Sequence, residues 1–229
     1  MKFDIITIFP QIFDSYFSES ILARAQKNKI IKIKIHNLRD YATDKHQTVD
    51  DTPYGGGAGM VMKVEPIYKS IKSIKSKVGK SVKSRTILFS AKGKKYTQSD
   101  AKRLSKYDNL IFVCGRYEGV DERVAQNLVD EEISVGDYVL TGGEIPAMIV
   151  VDSISRLLSG VLGNSESAKD ESHSSEGYLE YPQYTKPEVF SVSKKKWKVP
   201  TVLLSGNHKK IAEWRKEKST CLIGRQETK

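Results

Sequence analysis

Leu110-Ile111-Phe112-Val113-Cys114-Gly115-Arg116-Tyr117-Glu118-Gly119 is a run of five apolar residues that ends in a polar loop bounded by glycines. Five apolar residues without alternation are the pattern of a strand covered on both faces, the usual state of strands in a parallel sheet. Working outward, Thr86 to Phe89 and Tyr138 to Leu140 read as further short buried strands. Phe3 to Phe9, stopped by Pro10, reads as an opening strand, and Ile31, Ile33 and Ile35 alternate with Lys32 and Lys34 as a half-exposed one. Helical spacing is predicted for Ile12 to Lys27, 65–77, 97–106 and 121–129, with a long apolar helix at 145–159. Strands alternating with helices argue for an α/β domain on a largely parallel sheet.

In such a sheet the loops that leave neighbouring strand ends form the ligand crevice. Two glycine-rich loops fit that position, Gly115 to Gly119 and Gly136 to Gly143, and either a small-molecule site or a pair of tight turns accounts for them. Glu118, Asp121, Glu122 and Asp137 lie among these glycines. A third cluster, Tyr54-Gly55-Gly56-Gly57-Ala58-Gly59, lacks the Gly-Lys-Ser/Thr of a phosphate loop and the spacing of a dinucleotide fingerprint. It reads as a loop that lets a flat base or another chain approach closely, or as a plain turn.

The chain has 229 residues and a net charge of +10, with 38% apolar and 29% charged residues, so wholesale disorder is not expected. The net value conceals segregation. Residues 1–68 carry 9 basic and 8 acidic side chains, 69–106 carry 13 and 1, 107–177 carry 4 and 14, and 178–229 carry 12 and 5. Positive excess points to a polyanionic partner, while the lysine run from Lys72 to Lys83 reads equally as a solvated face or a nucleic-acid contact. From Gly163 to Gly177 the composition is that of a linker. Beyond it, Asn207 to Lys218 has a capping residue followed by helical spacing of Ile211 and Trp214.

Several chemistries are disfavoured. Cys114 and Cys221 are too few for a disulfide scaffold, and Cys114 reads as an inert core residue. The four histidines lack ligand spacing, so no structural metal is expected. No serine-hydrolase elbow occurs. The apolar stretch around Ile145 to Leu158 contains Asp152 and Arg156 and is too short to span a bilayer. With no export signal at Met1, a cytoplasmic protein without membrane association is expected. Arg156 follows the apolar helix, where it either ties the helix end or stabilises an anion.

Five strings taken together resemble a known family: Asp50 to Met60, Gly115 to Arg123, Gly136 to Glu144, Tyr181 to Pro187 and Leu203 to His208. They are similar, in order and over nearly the whole chain, to the bacterial tRNA (guanine-N1)-methyltransferases, which methylate guanosine 37 beside the anticodon. The family continues somewhat beyond Arg225, so part of a terminal helix is expected to lie outside this sequence. The resemblance implies an α/β fold of the SPOUT class with a deep trefoil knot near residues 85–140, which general rules of chain topology would not propose. It implies a knotted catalytic domain over 1–162, a mobile linker over 163–177 and a small, mainly helical, basic tRNA-binding domain over 178–229. A homodimer with active sites that combine both chains is implied as well.

By the same resemblance, S-adenosylmethionine contacts Leu88, Phe89, Ser90, Ala91, Gly115, Tyr117, Glu118, Gly119, Ile133, Val135, Gly136, Asp137, Tyr138, Val139, Leu140, Gly142, Gly143 and Pro146. Arg156 matches an arginine that stabilises charge on guanine O6, and either Asp170 or Glu171 matches the general base that takes the N1 proton. Glu118 matches a residue at the methionine end of the cofactor, where Mg2+ dependence is attributed to the family. Tyr54, Gly55 and Gly59 would flank the target guanine, and Lys186, Lys209 and Arg215 would hold the tRNA backbone. Ala91 stands where the family often has proline, and Thr52 and Lys186 where arginines are common. A related methyltransferase with another RNA target, or a relative that binds RNA without catalysis, would carry much of the same pattern.

Overall fold

The computed structural model describes residues 1–79, 81–162, 172–173, 178–193 and 195–221. The chain divides into two compact units, Met1–Gly163 and Asn164–Lys229.

The first unit contains β1 (Lys2–Thr7), α1 (Asp14–Phe17), α2 (Ser20–Lys27), β2 (Lys32–Asn37), β3 (Asp50–Asp51), β4 (Val61–Met62), α3 (Val64–Lys75), β5 (Ser84–Lys95), α4 (Gln98–Leu104), β6 (Asn109–Cys114), α5 (Glu122–Asn127), β7 (Glu131–Ser134) and α6 (Glu144–Ser155). Five strands form one all-parallel sheet in the order β2-β1-β6-β5-β7. The small β3–β4 pair is antiparallel and stands apart from it.

Side-chain alternation divides the core into two layers. Phe3, Ile5, Ile87, Phe89, Leu110, Phe112 and Cys114 pack with Phe13 and Phe17, with Leu22 of α2 and with Ala147, Val150 and Ile154 of α6. Ile6, Leu88, Ile111 and Val113 point the other way, onto Ile67, Ile71 and Ile74 of α3 and Val124 of α5. A central strand thus has no polar face, which is why Leu110 to Cys114 is uniformly apolar. The one buried charge on β1, Asp4, is held by Lys2 Nζ at 2.7 Å and His36 Nε2 at 2.8 Å. Burial alone would raise its pKa, but the hydrogen bonds from His36 and Lys2 outweigh that and hold it below the usual carboxylate value.

Three sequence expectations need correction. Ile12 to Lys27 is not one helix: Ser20 takes φ +51, and the segment breaks into α1 and α2. Tyr138 to Leu140 is not a strand. The edge strand is β7, which ends four residues before Tyr138, and the chain then turns where Gly136 N donates to Ser134 Oγ at 3.3 Å and Ser134 Oγ donates to Gly136 O at 3.0 Å. β5 is longer than Thr86 to Phe89. Ile133 of β7 is registered against both Phe89 and Lys94, so Ser90 to Gly93 bulge out of the pairing. A Cβ on Gly93 would lie 2.6 Å from Ile133 N, a backbone clearance that glycine alone supplies.

The second unit contains β8 (Tyr178–Leu179), β9 (Val189–Val192), β10 (Lys195–Lys198), α7 (Thr201–Leu204), α8 (His208–Lys218) and β11 (Thr220–Cys221). Asn207 caps α8, its side chain accepting from Lys210 N at 3.1 Å as its position in the sequence suggests. Among its described residues the unit is mixed rather than mainly helical, because β9 and β10 form a hairpin that pairs Phe190 with Trp197. None of the side chains whose burial is described between 178 and 219 is buried.

Candidate active site

A cavity of about 510 Å³ opens at the bulge in β5 and the ends of β6 and β7. Its walls are the bulge after Phe89, the loop after Cys114 and the loop between β7 and α6. Every residue expected at the cofactor lines it except Asp137, which instead pairs with Lys95 and points to solvent. Leu88, Phe89, Ile133, Leu140 and Pro146 supply apolar wall, while Gly115, Gly119, Gly136 and Gly142 bring partly exposed backbone to it. Val139 projects almost fully into solvent at 91% exposure.

The loops are held in place by a buried carboxylate. Glu144, the first residue of α6, is 1% exposed; its Oε1 accepts from Thr7 Oγ1 at 2.7 Å and its Oε2 from Arg116 Nε at 2.9 Å. Arg116 also donates to Thr141 O at 3.3 Å and lies over the Phe9 ring at 4.8 Å. One carboxylate thus joins the end of β1, the loop after β6 and the loop before α6. The approach is close enough to require glycine. Gly143 N donates to Gly115 O at 2.9 Å, and a Cβ on Gly143 would lie 2.6 Å from Cys114 Cα. Tyr117, at φ +59, holds the left-handed turn that reverses the loop.

The glycine cluster at 55–59 meets this site. Glu118 N donates to Met60 O and Met62 N to Gly119 O, both at 3.0 Å, and a Cβ on Gly59 would strike Glu118 Cγ at 2.6 Å. Tyr54 stands fully exposed at the tip of that loop. Of the four carboxylates noted among the glycines, Glu118 and Glu122 line the cavity. Asp121 caps α5 and pairs with Arg123. Cys114 is buried, and burial pushes its thiol pKa well up, so it holds the core rather than attacking a substrate.

The sequence reading missed Lys92, Arg116, Val120, Ala125, Glu132, Ser134 and Thr141 as lining residues. Adjacency to the glycine loops was available for Arg116 and Thr141. Nothing in the sequence marked Lys92 or Glu132, which depend on the bulge in β5 and on the true position of β7. Lys92 Nζ pairs with Glu122 Oε2 at 2.5 Å, and Glu122 keeps the Lys92 ammonium charged to higher pH than usual. Among the described residues no group of three or more His, Cys, Asp or Glu side chains could hold a metal ion, so the walls contain no ready-made Mg2+ cage.

Residues 1–226 match the family model described as tRNA (guanine-1)-methyltransferase TrmD. The chain belongs to the tRNA (guanine-1)-methyltransferase family. It is 51% identical over 219 residues to the tRNA (guanine-N(1)-)-methyltransferase of Ruminiclostridium cellulolyticum, covering 96% of this chain and 91% of that one. The protein of the same name from Geotalea uraniireducens is 53% identical over 219 residues, covering 96% and 85%, and that of Dehalococcoides mccartyi strain BAV1 is 49% identical over 219 residues, covering 96% and 86%.

For a tRNA (guanine-1)-methyltransferase, the residues expected to act on the guanine are scattered in the single chain. Arg156 is the exposed C-cap of α6, whereas the cavity lies at the other end of that helix, about 18 Å away at 1.5 Å per residue. Asp170 and Glu171 lie outside the described residues. Lys186, Lys209 and Arg215 are exposed on the second unit, where the Arg215 guanidinium lies 4.8 Å from the Tyr181 ring. Among the described residues no helix is long and apolar enough to cross a membrane.

Proposed function

We propose that this chain transfers a methyl group from S-adenosylmethionine to N1 of guanosine 37 in tRNA, in the cytoplasm, as a homodimer whose active sites combine both copies. The observation that carries this reading is that the strings Gly115 to Arg123 and Gly136 to Glu144 line one cavity, with the string Asp50 to Met60 hydrogen-bonded to one of its walls through Met60. The donor fits what surrounds it. Backbone amides and carbonyls of the glycine loops suit the edge of an adenine, the apolar wall suits its faces, and Glu118, Glu122 and Glu132 suit a cationic ligand. S-adenosylmethionine, when bound, supplies a methyl group on a positively charged sulfur. Leu88, Phe89, Ser90, Ala91, Gly115, Tyr117, Glu118, Gly119, Ile133, Val135, Gly136, Tyr138, Val139, Leu140, Gly142, Gly143 and Pro146 would hold it.

Guanine N1 carries a proton at neutral pH and is a poor nucleophile until that proton leaves. Asp170 or Glu171 would accept it, and Arg156 would stabilise the charge that moves onto O6. Because Arg156 and the cavity occupy opposite ends of α6, a complete site calls for a second copy. The exposed apolar side chains of Phe9, Ile12, Tyr16, Ile145 and Ile149 support such an interface. The turn that returns the chain from β7 to lie against Cys114 and Gly115 supports the trefoil knot. The target base leaves its stack to react, with Tyr54, Gly55 and Gly59 beside it and Lys186, Lys209 and Arg215 on the phosphates. A hydrated Mg2+ near Glu118 belongs to this reading.

The test is incubation with labelled S-adenosylmethionine and tRNA transcripts that carry guanosine or adenosine at position 37. Label is expected in the guanosine transcript alone. Equal labelling of both, or of neither, overturns the reading.

A further inference from the structure

Glu132 lines the cavity from the edge strand β7, where it is registered against Leu88 of β5. Its Oε2 atom is buried, yet it has no hydrogen-bond partner. Burying a carboxylate oxygen without a donor costs free energy, and such atoms are rare unless something outside the chain completes them. The Lys92 ammonium lies close enough to feel the Glu132 charge, but the hydrogen bond it makes is to Glu122 and it does not fill Oε2. The neighbouring carboxylate, Glu131, differs: its two oxygens are taken by Arg85 and Arg103 in a structural clamp. Of two adjacent acidic residues, one is therefore satisfied within the fold and the other, on the cavity wall, has a buried acceptor oxygen that no protein donor fills.

We infer that Glu132 is a ligand-binding residue whose Oε2 accepts a hydrogen bond from an O–H or N–H donor of the adenosyl ligand. This rests on the proposed function, since it takes the cavity to be the S-adenosylmethionine site. The donor is either a ribose hydroxyl or the ammonium of the methionine part. Both are tetrahedral donors that replace the water Glu132 would otherwise need, and a carboxylate acceptor makes the stronger kind of bond.

The experiment is isothermal titration of wild-type chain, Glu132→Gln and Glu132→Ala with S-adenosylhomocysteine and with methylthioadenosine, alongside thermal melts without ligand. Wild-type protein that binds neither ligand overturns the proposed function itself. With wild-type binding established, Glu132→Ala is expected to weaken S-adenosylhomocysteine roughly tenfold to a hundredfold, and Glu132→Gln to weaken it less. A parallel loss for methylthioadenosine assigns the bond to the nucleoside, and a loss for S-adenosylhomocysteine alone assigns it to the ammonium; either supports the inference. Ligand-free melting is expected to stay level or rise, because an uncompensated buried acceptor is removed. Unchanged affinity for both ligands in Glu132→Ala overturns the inference. So does a lowered ligand-free melting temperature in both variants with wild-type affinity, which would make Glu132 a structural residue.

Discussion

Glu144 is the residue on which the cavity loops depend most, and its replacement by glutamine separates charge from shape. The two carboxylate oxygens accept from two donors, Thr7 Oγ1 at 2.7 Å and Arg116 Nε at 2.9 Å, in a site where the side chain is 1% exposed. A glutamine has one acceptor oxygen and presents an NH2 to the other donor, so one of the two bonds must be lost whichever way the amide turns. If the lost bond is the charged one to Arg116, the cost is about 1.5–3 kcal/mol. Glu144→Ala removes both acceptors and leaves the guanidinium with Thr141 alone, for about 3–5 kcal/mol. The readout must come from the right part of the chain. Trp197 and Trp214 both lie in the second unit, so tryptophan fluorescence would not report on this change. Amide hydrogen exchange in peptides covering β1 and β6 would, with far-UV circular dichroism melts beside it. Faster exchange in both strands is expected, graded from glutamine to alanine, with weakened binding of S-adenosylhomocysteine. Exchange and melting unchanged in Glu144→Gln would refute the role assigned to this carboxylate.

Gly143→Ala places a methyl group 2.6 Å from Cys114 Cα without violating backbone preferences, since Gly143 has φ −83. Destabilisation of about 1–3 kcal/mol is expected, together with weaker binding of S-adenosylhomocysteine by titration, and a variant equal to wild type in both would show the clearance to be unimportant. Asp4 has a folded pKa below its ordinary 3.8, so its stabilisation is fully present above that value and fades as pH falls through the folded pKa. Urea unfolding of Asp4→Asn against wild type is expected to show a gap at pH 7 that narrows below about pH 4, and a gap independent of pH would contradict the assignment. In single-turnover methylation, Asp170→Asn or Glu171→Gln is expected to slow transfer by about 10²–10⁴, whereas near-normal rates in both would remove the linker from the chemistry.

Much of this architecture was legible because burial on both faces imposes an apolar run. Leu110 to Cys114 announced a central strand, and the glycine loop after it announced the cavity. The edge strand was misread for the same physical reason. Glu131-Glu132-Ile133-Ser134 has charges at its start because one is clamped by Arg85 and Arg103 and the other borders the cavity, whereas Tyr138-Val139-Leu140 is an apolar loop segment at the cavity rim in which Tyr138 and Val139 stay exposed. Apolar content alone therefore did not distinguish a strand from an exposed loop at the cavity rim. The hub at Glu144 gave no local signal, because Thr7 and Arg116 lie 137 and 28 residues away in sequence. Gly93 likewise owes its identity to a strand that the alternation pattern did not locate.

The central claim, that this chain methylates one nitrogen of one base in tRNA, is tested most directly by analysis of the product. A tRNA transcript with guanosine at position 37, treated with the full chain and S-adenosylmethionine and then digested, should yield 1-methylguanosine from that position as the sole new nucleoside. A ribose-methylated nucleoside, a methyl group on another guanine nitrogen, or 1-methylguanosine at a different position would contradict it.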